Sequence, residues 1–203
     1  MKKICTGKRA FIIAMECEAE QVRPWMSDTD ILIVSGIGKV NAAAATQKAI
    51  SEFSADVIIN AGLAGGFSPS MNTGDVYEIE SAVEYDFDLA KLNGTRVGVL
   101  DEYDTPYIEL NTLNVFPNAI LATGDHFNDS EKDYSLIRDE LKATVRDMEG
   151  AAIAHVCKKN NIPCYAVKCI TNVAGKGLMT EQYEKSRAIC LEKLKIALGA
   201  YLS

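Results

Sequence analysis

Three short apolar runs, at residues 10–15, 31–34 and 57–60, constrain the fold of this chain more than any other feature. None of the runs contains a charged residue, as expected of parallel strands that are covered on both faces. The segment 39–53 is rich in alanine and lacks Gly and Pro, which predicts a helix between the second and third strands. The order strand, strand, helix, strand predicts an α/β fold.

The rest of the chain continues this alternation less regularly. A strand is predicted at 75–83, whereas 93–118 has no clear helical period. Apolar runs and helical spacing predict the remaining elements: strands at 119–123 and 164–170, and helices at 131–142, 148–160 and 180–202. No linker, repeat or low-complexity segment divides the sequence, so we expect one domain spanning residues 1–203.

The charge balance argues against a nucleic acid as partner. The chain holds 21 Lys and Arg against 28 Asp and Glu, a formal net charge of −7, and it has no basic run. Binding to nucleic acids or to anionic membranes requires clustered Lys and Arg. We therefore expect a small-molecule partner, with no nucleic acid and no membrane.

Cysteine and histidine usage predicts no metal site. Of the two histidines, His126 could contact a ligand and His155 is predicted to be structural. No apolar stretch is long enough for a signal peptide or a membrane span, so we expect a reduced, cytoplasmic protein without a cofactor. The six cysteines contain no CxxC pair: Cys5, Cys17, Cys157, Cys164, Cys169 and Cys190.

Two segments that follow predicted strands carry residues suited to chemistry. An acidic cluster at 15–20 contains Glu18, whose carboxylate could take a proton from an attacking water, but acidic residues also suit a plain helix start. The glycine-rich segment 60–66 lets backbone approach a ligand closely, although it matches neither the dinucleotide nor the P-loop motif. An ordinary turn explains it equally well.

A third segment, 147–152, places Asp147, Met148 and Glu149 before small residues at a helix start. A glutamate can accept two hydrogen bonds from the cis diol of a sugar, which apolar side chains cannot do. Helix capping by the two carboxylates is the alternative interpretation.

These segments, taken in order, resemble the 5′-methylthioadenosine/S-adenosylhomocysteine nucleosidases of the purine nucleoside phosphorylase superfamily. The resemblance extends from about residue 10 to residue 183, and the later half is most similar to the plant-type branch. It is carried by seven motifs: AMECE at 14–18, SGIGKVN at 35–41, NAGLAGG at 60–66, GDV at 74–76, TGD at 123–125, DMEGAA at 147–152 and KCITN at 168–172.

The resemblance implies a three-layer α/β/α fold around a mixed, partly barrel-like sheet, usually a homodimer, and hydrolysis of a purine nucleoside N-glycosidic bond without a cofactor. In this family Glu18 would activate water, Glu149 would bind the ribose hydroxyls, Met148 would lie under the sugar and Phe127 would stack on the purine. The implied substrate contacts are Met15, Ala64, Gly65, Phe127, Met148, Glu149 and Lys168, and the catalytic pair is Glu18 and Asn172.

Asn172 departs from the family, whose members carry an aspartate there that protonates purine N7. An amide donates no proton as an acid, but its donor and acceptor match the O6 and N7–H of a 6-oxopurine, as in phosphorylases specific for inosine and guanosine. Asn172 therefore indicates a 6-oxopurine base, weakened catalysis, or an Asp→Asn replacement that traps substrate.

Two further departures concern Leu63, which replaces a Ser or Thr, and the 17 positions between Glu18 and Ser35, too few for the family's extra hairpin. A helix usually present before Gly124 is also missing from the pattern. Because no arginine lies in the glycine-rich motifs, hydrolysis is favoured over phosphorolysis. Two alternatives stay open: a phosphorylase preferring 6-oxopurine nucleosides, or a weakly active nucleoside-binding relative.

Overall fold

A computed structural model describes residues 4, 7–100, 102–127 and 130–202, which leaves Cys5 outside the described residues. The strands are β1 (Arg9–Ile13), β2 (Ile31–Val34), β3 (Val57–Gly66), β4 (Val76–Glu84), β5 (Ile108–Glu109), β6 (Asn118–Thr123), β7 (Val145–Asp147) and β8 (Cys164–Val173). The helices are α1 (Glu16–Val22), α2 (Lys39–Ser51), α3 (Ala90–Asn93), α4 (Glu131–Tyr134), α5 (Gly150–Asn160) and α6 (Met179–Leu202).

The strands form one mixed sheet that closes partly on itself. Along the sheet the order is β2, β1, β3, β7, β6, β4, β5, and β8 pairs with both β3 and β4. The strands β3, β7, β6, β4 and β8 therefore form a closed ring, with β1 and β2 extending it at one side. The β3–β8 pair is parallel, whereas β8 with β4 and β7 with β3 are antiparallel. The predicted α/β fold with a mixed, partly barrel-like sheet is confirmed.

Side-chain alternation along β1 distributes the core over two faces of the sheet. Ala10 and Ile12 pack in a cluster that includes apolar residues of α2 and α5. Phe11 and Ile13 pack in a second cluster with residues of α1 and α6. All four β1 side chains are fully buried. This period of two explains why the strand reads as a continuous apolar run and why helices cover both faces.

The predicted elements are found with shifted ends, and some short elements were not predicted. β3 and β8 are longer than predicted, because the glycine-rich segment of β3 continues to pair with β8 as far as Gly66 and Val173. The glycine-rich segment is therefore a strand and not a turn. The short elements α3, β5 and β7 were not predicted. The segment predicted as a helix at 131–142 is the α4 turn followed by a π-helical turn at Ser135–Glu140.

The sequence is shorter than the family pattern in two places, and each place contains little regular structure. Residues 23–30, all of which the structure describes, contain the single 3₁₀ turn Arg23–Trp25 and no hairpin. Residues 110–117 run to β6 without a helix, and these too are described throughout. Within the described part of the chain, no helix has the length and apolarity needed to cross a membrane.

Candidate active site

A cavity of about 410 Å³ lies where β1, β3, β6 and β7 end. Ligands bind at the carboxyl ends of strands in open α/β sheets, so this position is the expected one. Eight of the nine predicted site residues line the cavity: Met15, Glu18, Ala64, Gly65, Phe127, Met148, Glu149 and Asn172. The ninth, Lys168, lies behind the cavity wall.

Glu18 is the buried carboxylate at the start of α1. One oxygen, Oε1, accepts the Leu63 backbone N–H at 2.7 Å, and Oε2 accepts the Met15 N–H at 3.1 Å. Gly62 permits this approach, since a Cβ there would lie 2.8 Å from Oε1. Burial raises the pKa of Glu18, against the opposing effect of the backbone donors. The structure thus presents a fixed carboxylate whose basicity is increased, which suits proton abstraction from water.

The two interpretations of the acidic cluster at 15–20 apply to different residues of the cluster. The side chain of Glu16 is 57% exposed and forms an ion pair with Arg23 on the surface. Glu20 is also exposed. Both carboxylates fit the helix-start interpretation, whereas Glu18 alone of the three glutamates enters the cavity.

Glu149 approaches the cavity from the start of α5. Its Oε1 accepts the Gly38 backbone N–H at 2.9 Å, which joins the start of α5 to the start of α2. Burial raises the pKa of Glu149 to about 7, and the nearby carboxylate of Asp147 adds to the effect.

Asp147 and Lys168 form a buried ion pair, with 2.8 Å between Lys168 Nζ and Asp147 Oδ2. Asp147 also accepts the Thr123 hydroxyl at 2.6 Å and the Gly150 N–H at 2.9 Å, so it caps α5 as its helix-start interpretation predicted. Burial acts to lower the pKa of Lys168, but the carboxylates around it, of which Asp147 has the largest effect, hold that pKa above its ordinary value. Lys168 does not line the cavity and its ammonium pairs with Asp147, so its direct substrate contact stays a prediction.

Asn172 lies within β8, not after it, and is 3% exposed. A register shift between Ala64 and Gly65 brings both Thr171 and Asn172 to the cavity. The Thr171 hydroxyl lies 2.9 Å from Asn172 Oδ1 and 3.2 Å from the Ala64 carbonyl oxygen, and it has one proton to donate. The Asn172 amide thus brings both a donor and an acceptor to the cavity wall.

Several lining residues were not predicted. Arg146 belongs to the short strand β7 and is 5% exposed in the cavity wall. Its sequence neighbours gave no sign of a site beyond the adjacent motif at 147–152. At the cavity mouth the Phe127 and Tyr183 rings meet edge to face, with centroids 5.9 Å apart. The remaining unpredicted residues are Ala14, Ile37, Leu63, Thr171 and Met179, and His126 also lines the cavity as expected.

The family model described as the phosphorylase superfamily matches residues 27–203, which is most of the chain. The chain belongs to the phosphorylase superfamily. Among related superfamily members, the 5′-methylthioadenosine/S-adenosylhomocysteine nucleosidase of Anoxybacillus flavithermus is 32% identical over 175 residues, covering 78% of this chain and 75% of the relative. The nucleosidase of the same name from a Marinomonas species is 30% identical over 198 residues, covering 80% and 84%.

Solved structures of the superfamily share the fold. The native futalosine hydrolase of Helicobacter pylori superposes with a TM-score of 0.88 at 21% identity, covering 96% of this chain and 97% of its own. A 5′-methylthioadenosine/S-adenosylhomocysteine nucleosidase of the same organism, bound to butyl-thio-DADMe-Immucillin-A, gives 0.88 at 21% identity, covering 98% and 99%. The predicted resemblance to the nucleosidases is confirmed, and the closer similarity to the plant-type branch stays a prediction.

Proposed function

We propose that this protein hydrolyses the N-glycosidic bond of a purine nucleoside, with Glu18 as the base that activates water. The buried Glu18 carboxylate in the cavity wall carries the proposal. Its two backbone donors hold it in place, and its raised pKa makes it a stronger base than an exposed glutamate. The superfamily relatives that carry nucleosidase names support the same reaction.

In the proposed reaction the water oxygen bonds to C1′ of the sugar while the C1′–N9 bond breaks. The water gives a proton to Glu18, and the bonding electron pair leaves with the base. The sugar passes through a state with oxocarbenium character. Carboxylates at Glu18 and Glu149, which are 3% and 8% exposed, stabilise that positive charge.

The other cavity residues fit roles in binding. We infer that Glu149 accepts hydrogen bonds from the ribose hydroxyls and that Met148 lies under the sugar. Phe127, half exposed at the mouth, would stack on the purine. Ala64 and Gly65 would contact sugar and base through their backbone, and Met15 would contact the substrate beside Glu18.

Hydrolysis is favoured over phosphorolysis by the surroundings of Leu63. Its N–H, which an anion could otherwise use, already donates to Glu18. A phosphate bound at this point would lie against the Glu18 carboxylate, and like charges repel strongly in a buried site. Leu63 also offers no hydroxyl to an anion. The alternative of a weakly active nucleoside-binding protein is favoured by one observation, that the Asn172 amide has no acidic proton to give to the leaving base.

A base-release assay on a nucleoside panel tests the proposal. Adenosine, inosine and the 5′-methylthio forms of both are incubated with the protein, with and without phosphate, and free base is measured. We expect release without phosphate and a free sugar as the second product. Release that requires phosphate and yields a sugar 1-phosphate would make the protein a phosphorylase. Binding without release would leave the weakly active relative.

We further propose a cytoplasmic homodimer that acts in methionine salvage, and the nucleosidase names of the relatives support the salvage role. Apolar side chains beside the cavity mouth support a dimer: Ile37 is 52% exposed and Val40 is 80% exposed. Analytical ultracentrifugation at micromolar concentration tests this, and a monomer at every concentration would contradict it.

A further inference from the structure

Helix α2 begins at a residue that cannot cap it. Its N-cap, Gly38, has no side chain, and the first turn of the helix contains no acidic residue. The first N–H groups of a helix have no partner inside it, and acceptors or negative charge near them stabilise the helix. Here the acceptor comes from another segment, since Asp125 Oδ1, in the loop after β6, accepts the Lys39 N–H at 2.9 Å. Asp125 therefore caps α2 from outside the helix.

The Lys39 side chain adds a second link, to the end of β4. Its ammonium lies 2.6 Å from Asp86 Oδ1 and 3.1 Å from Glu84 Oε2. The other oxygen of Asp86, Oδ2, accepts the Asp125 N–H at 3.0 Å. Burial acts to lower the pKa of Lys39, but the hydrogen bonds that its ammonium donates to Asp86 and Glu84 hold that pKa above its ordinary value. Lys39, Asp86 and Asp125 thus form a closed polar ring.

The polar ring joins segments that are far apart in the sheet. Helix α2 follows β2, whereas Asp86 and Asp125 follow β4 and β6, and the strands β1, β3 and β7 lie between β2 and β6. Both segments also reach the cavity, one through Ile37 before the helix and the other through His126 and Phe127 after Asp125. The polar ring therefore fixes two sides of the cavity mouth relative to each other.

Gly38 lies where the polar ring meets the proposed ribose-binding carboxylate. Its N–H donates to Glu149 Oε1 at 2.9 Å. Its φ is +102°, and a Cβ there would lie 3.2 Å from Asp125 Oδ1, so this position favours glycine on both counts. The N–H groups of Gly38 and Lys39 are consecutive along the chain, and they donate to Glu149 and to Asp125 respectively. A helix start that moved away from Asp125 would carry the Gly38 donor away from Glu149.

We propose, on the basis of the nucleosidase function above, that Asp125 is a positioning residue that keeps the Gly38 N–H on Glu149 and so orients the carboxylate that binds the ribose. Asp125 does not line the cavity, and it acts through the start of α2. Lys39 and Asp86 hold Asp125 in turn. The Gly38 contact also affects ionisation: burial raises the pKa of Glu149 to about 7, and the Gly38 N–H acts against this rise, because it donates to the charged form.

Kinetics with and without a ribose hydroxyl test the positioning role. The substrates are the better cleaved of adenosine and inosine, and its 2′-deoxy form. Asp125→Ala is expected to raise KM for the ribonucleoside about fivefold and to lower the ribo-to-deoxy ratio of kcat/KM by about the same factor, because the lost alignment concerns a contact to hydroxyls. Asp125→Asn keeps an acceptor for the Lys39 N–H and should retain most of the ratio. An equal loss on both substrates in Asp125→Ala would overturn the proposal.

Asp56→Ala is the matched control. Asp56 is also an exposed aspartate that accepts a lysine backbone N–H, that of Lys8, at 2.7 Å. It precedes β3, at the opposite end of that strand from the cavity residues Ala64 and Gly65. Its loss should leave KM and the ribo-to-deoxy ratio unchanged. A fall in the ratio equal to that of Asp125→Ala would contradict a specific role of Asp125.

The NMR signal of the Gly38 amide gives a readout that requires no turnover. Its chemical shift, followed as pH is varied across neutrality, reports the ionisation of Glu149, with a midpoint expected at about 7. Glu149→Gln should abolish this transition, which assigns it. The other charged groups that face Glu149 are unchanged in the Asp125 variants: Asp147 of β7, Lys168 of β8 and Glu18 of α1.

The direction of the midpoint shift decides the proposal. Asp125→Ala is expected to raise the midpoint by about 0.5–1 pH unit, because the Glu149 carboxylate loses a donor, and Asp125→Asn should change it little. An unchanged or lowered midpoint in Asp125→Ala overturns the proposal, since removal of a negative charge alone would lower it. If no nucleoside is cleaved, the hydrolytic function is contradicted, whereas a raised midpoint still supports the positioning of Glu149 by Asp125.

Discussion

The two sides of the cavity differ in charge and in the groups they present to a ligand. On the carboxylate side, formed by Glu18, Asp147 and Glu149, three buried acids surround the single ammonium of Lys168. On the donor side, formed by Arg146 and Asn172, the wall contains a guanidinium and an amide. Glycosidic cleavage develops positive charge on the sugar and negative charge on the base. The contrast thus indicates a site arranged for both developing charges, with each kind of group facing the charge it stabilises.

The largest expected effect on activity comes from neutralising Glu18 on the carboxylate side. Glu18→Gln removes the base and keeps the shape, so kcat for base release is expected to fall about a thousandfold. KM should change little, because Glu18 acts on water rather than on the nucleoside. Glu16→Gln provides the control, since Glu16 is an exposed carboxylate two positions earlier on the same helix. Equal activity of the two variants would remove Glu18 from the mechanism.

The cation within the carboxylate side can be removed separately. Lys168→Met leaves buried acids without their shared counter-charge, which is expected to cost about 3–5 kcal/mol of unfolding free energy. Urea denaturation measures this loss. The control Lys185→Met breaks an exposed pair with Glu181 and should change the free energy of unfolding by less than about 0.5 kcal/mol. Similar stabilities for the two variants would show that Lys168 does not hold the acids in place.

The raised pKa values of the acids on the carboxylate side predict opposite pH dependences for activity and stability. Glu18 and Glu149 must be ionised to act, and both have pKa values above the ordinary 4.5, that of Glu149 at about 7. We expect kcat/KM to rise as pH increases through about 7, by up to about tenfold per pH unit on the acid side. A profile that is flat or falling over this range would contradict the assignment.

The stability change has the opposite sign. Between pH 4.5 and about 7 the folded protein holds a proton on Glu149 that the unfolded chain has lost. The free energy of unfolding must therefore fall as pH rises through this window. Thermal unfolding across the window measures the slope, and Glu149→Gln should reduce it, because the variant removes the titrating group.

Much of the fold and of the carboxylate side follows from the sequence because local patterns record them. The apolar runs predict β1 and β2 within two residues at each end, since strands covered on both faces need such runs. Glu18 was singled out because it follows a predicted strand and Glu149 because it stands at a predicted helix start, each in a motif with a recognised order. Gly65 and Asn172 were found in the same way, although the strands that contain them were predicted too short.

The donor side was harder to predict because it depends on pairing between distant segments. Strand β7 is three residues long and two of them, Arg146 and Asp147, are charged, so neither hydrophobicity nor length indicates a buried strand. Its place becomes visible only through the pairing with Gly65. The segment before β6 is similar: its backbone N–H groups at 113–116 all donate to the buried carboxylate of Glu78, which no periodicity predicts.

The smallest expected effect comes from replacing the amide of Asn172 on the donor side with a carboxyl group. Asn172→Asp places a carboxyl group in the cavity wall, beside the Thr171 hydroxyl, where it would accept hydrogen bonds. The match to O6 weakens and the 6-amino group gains an acceptor, so the inosine-to-adenosine ratio of kcat/KM should fall about tenfold. Asn161→Asp, an exposed change at the end of α5, is the control and should leave the ratio unchanged. If Asn172→Asp instead accelerates both substrates equally, the carboxyl group acts as an acid toward N7 and the charge contrast between the two sides does not set the choice of base.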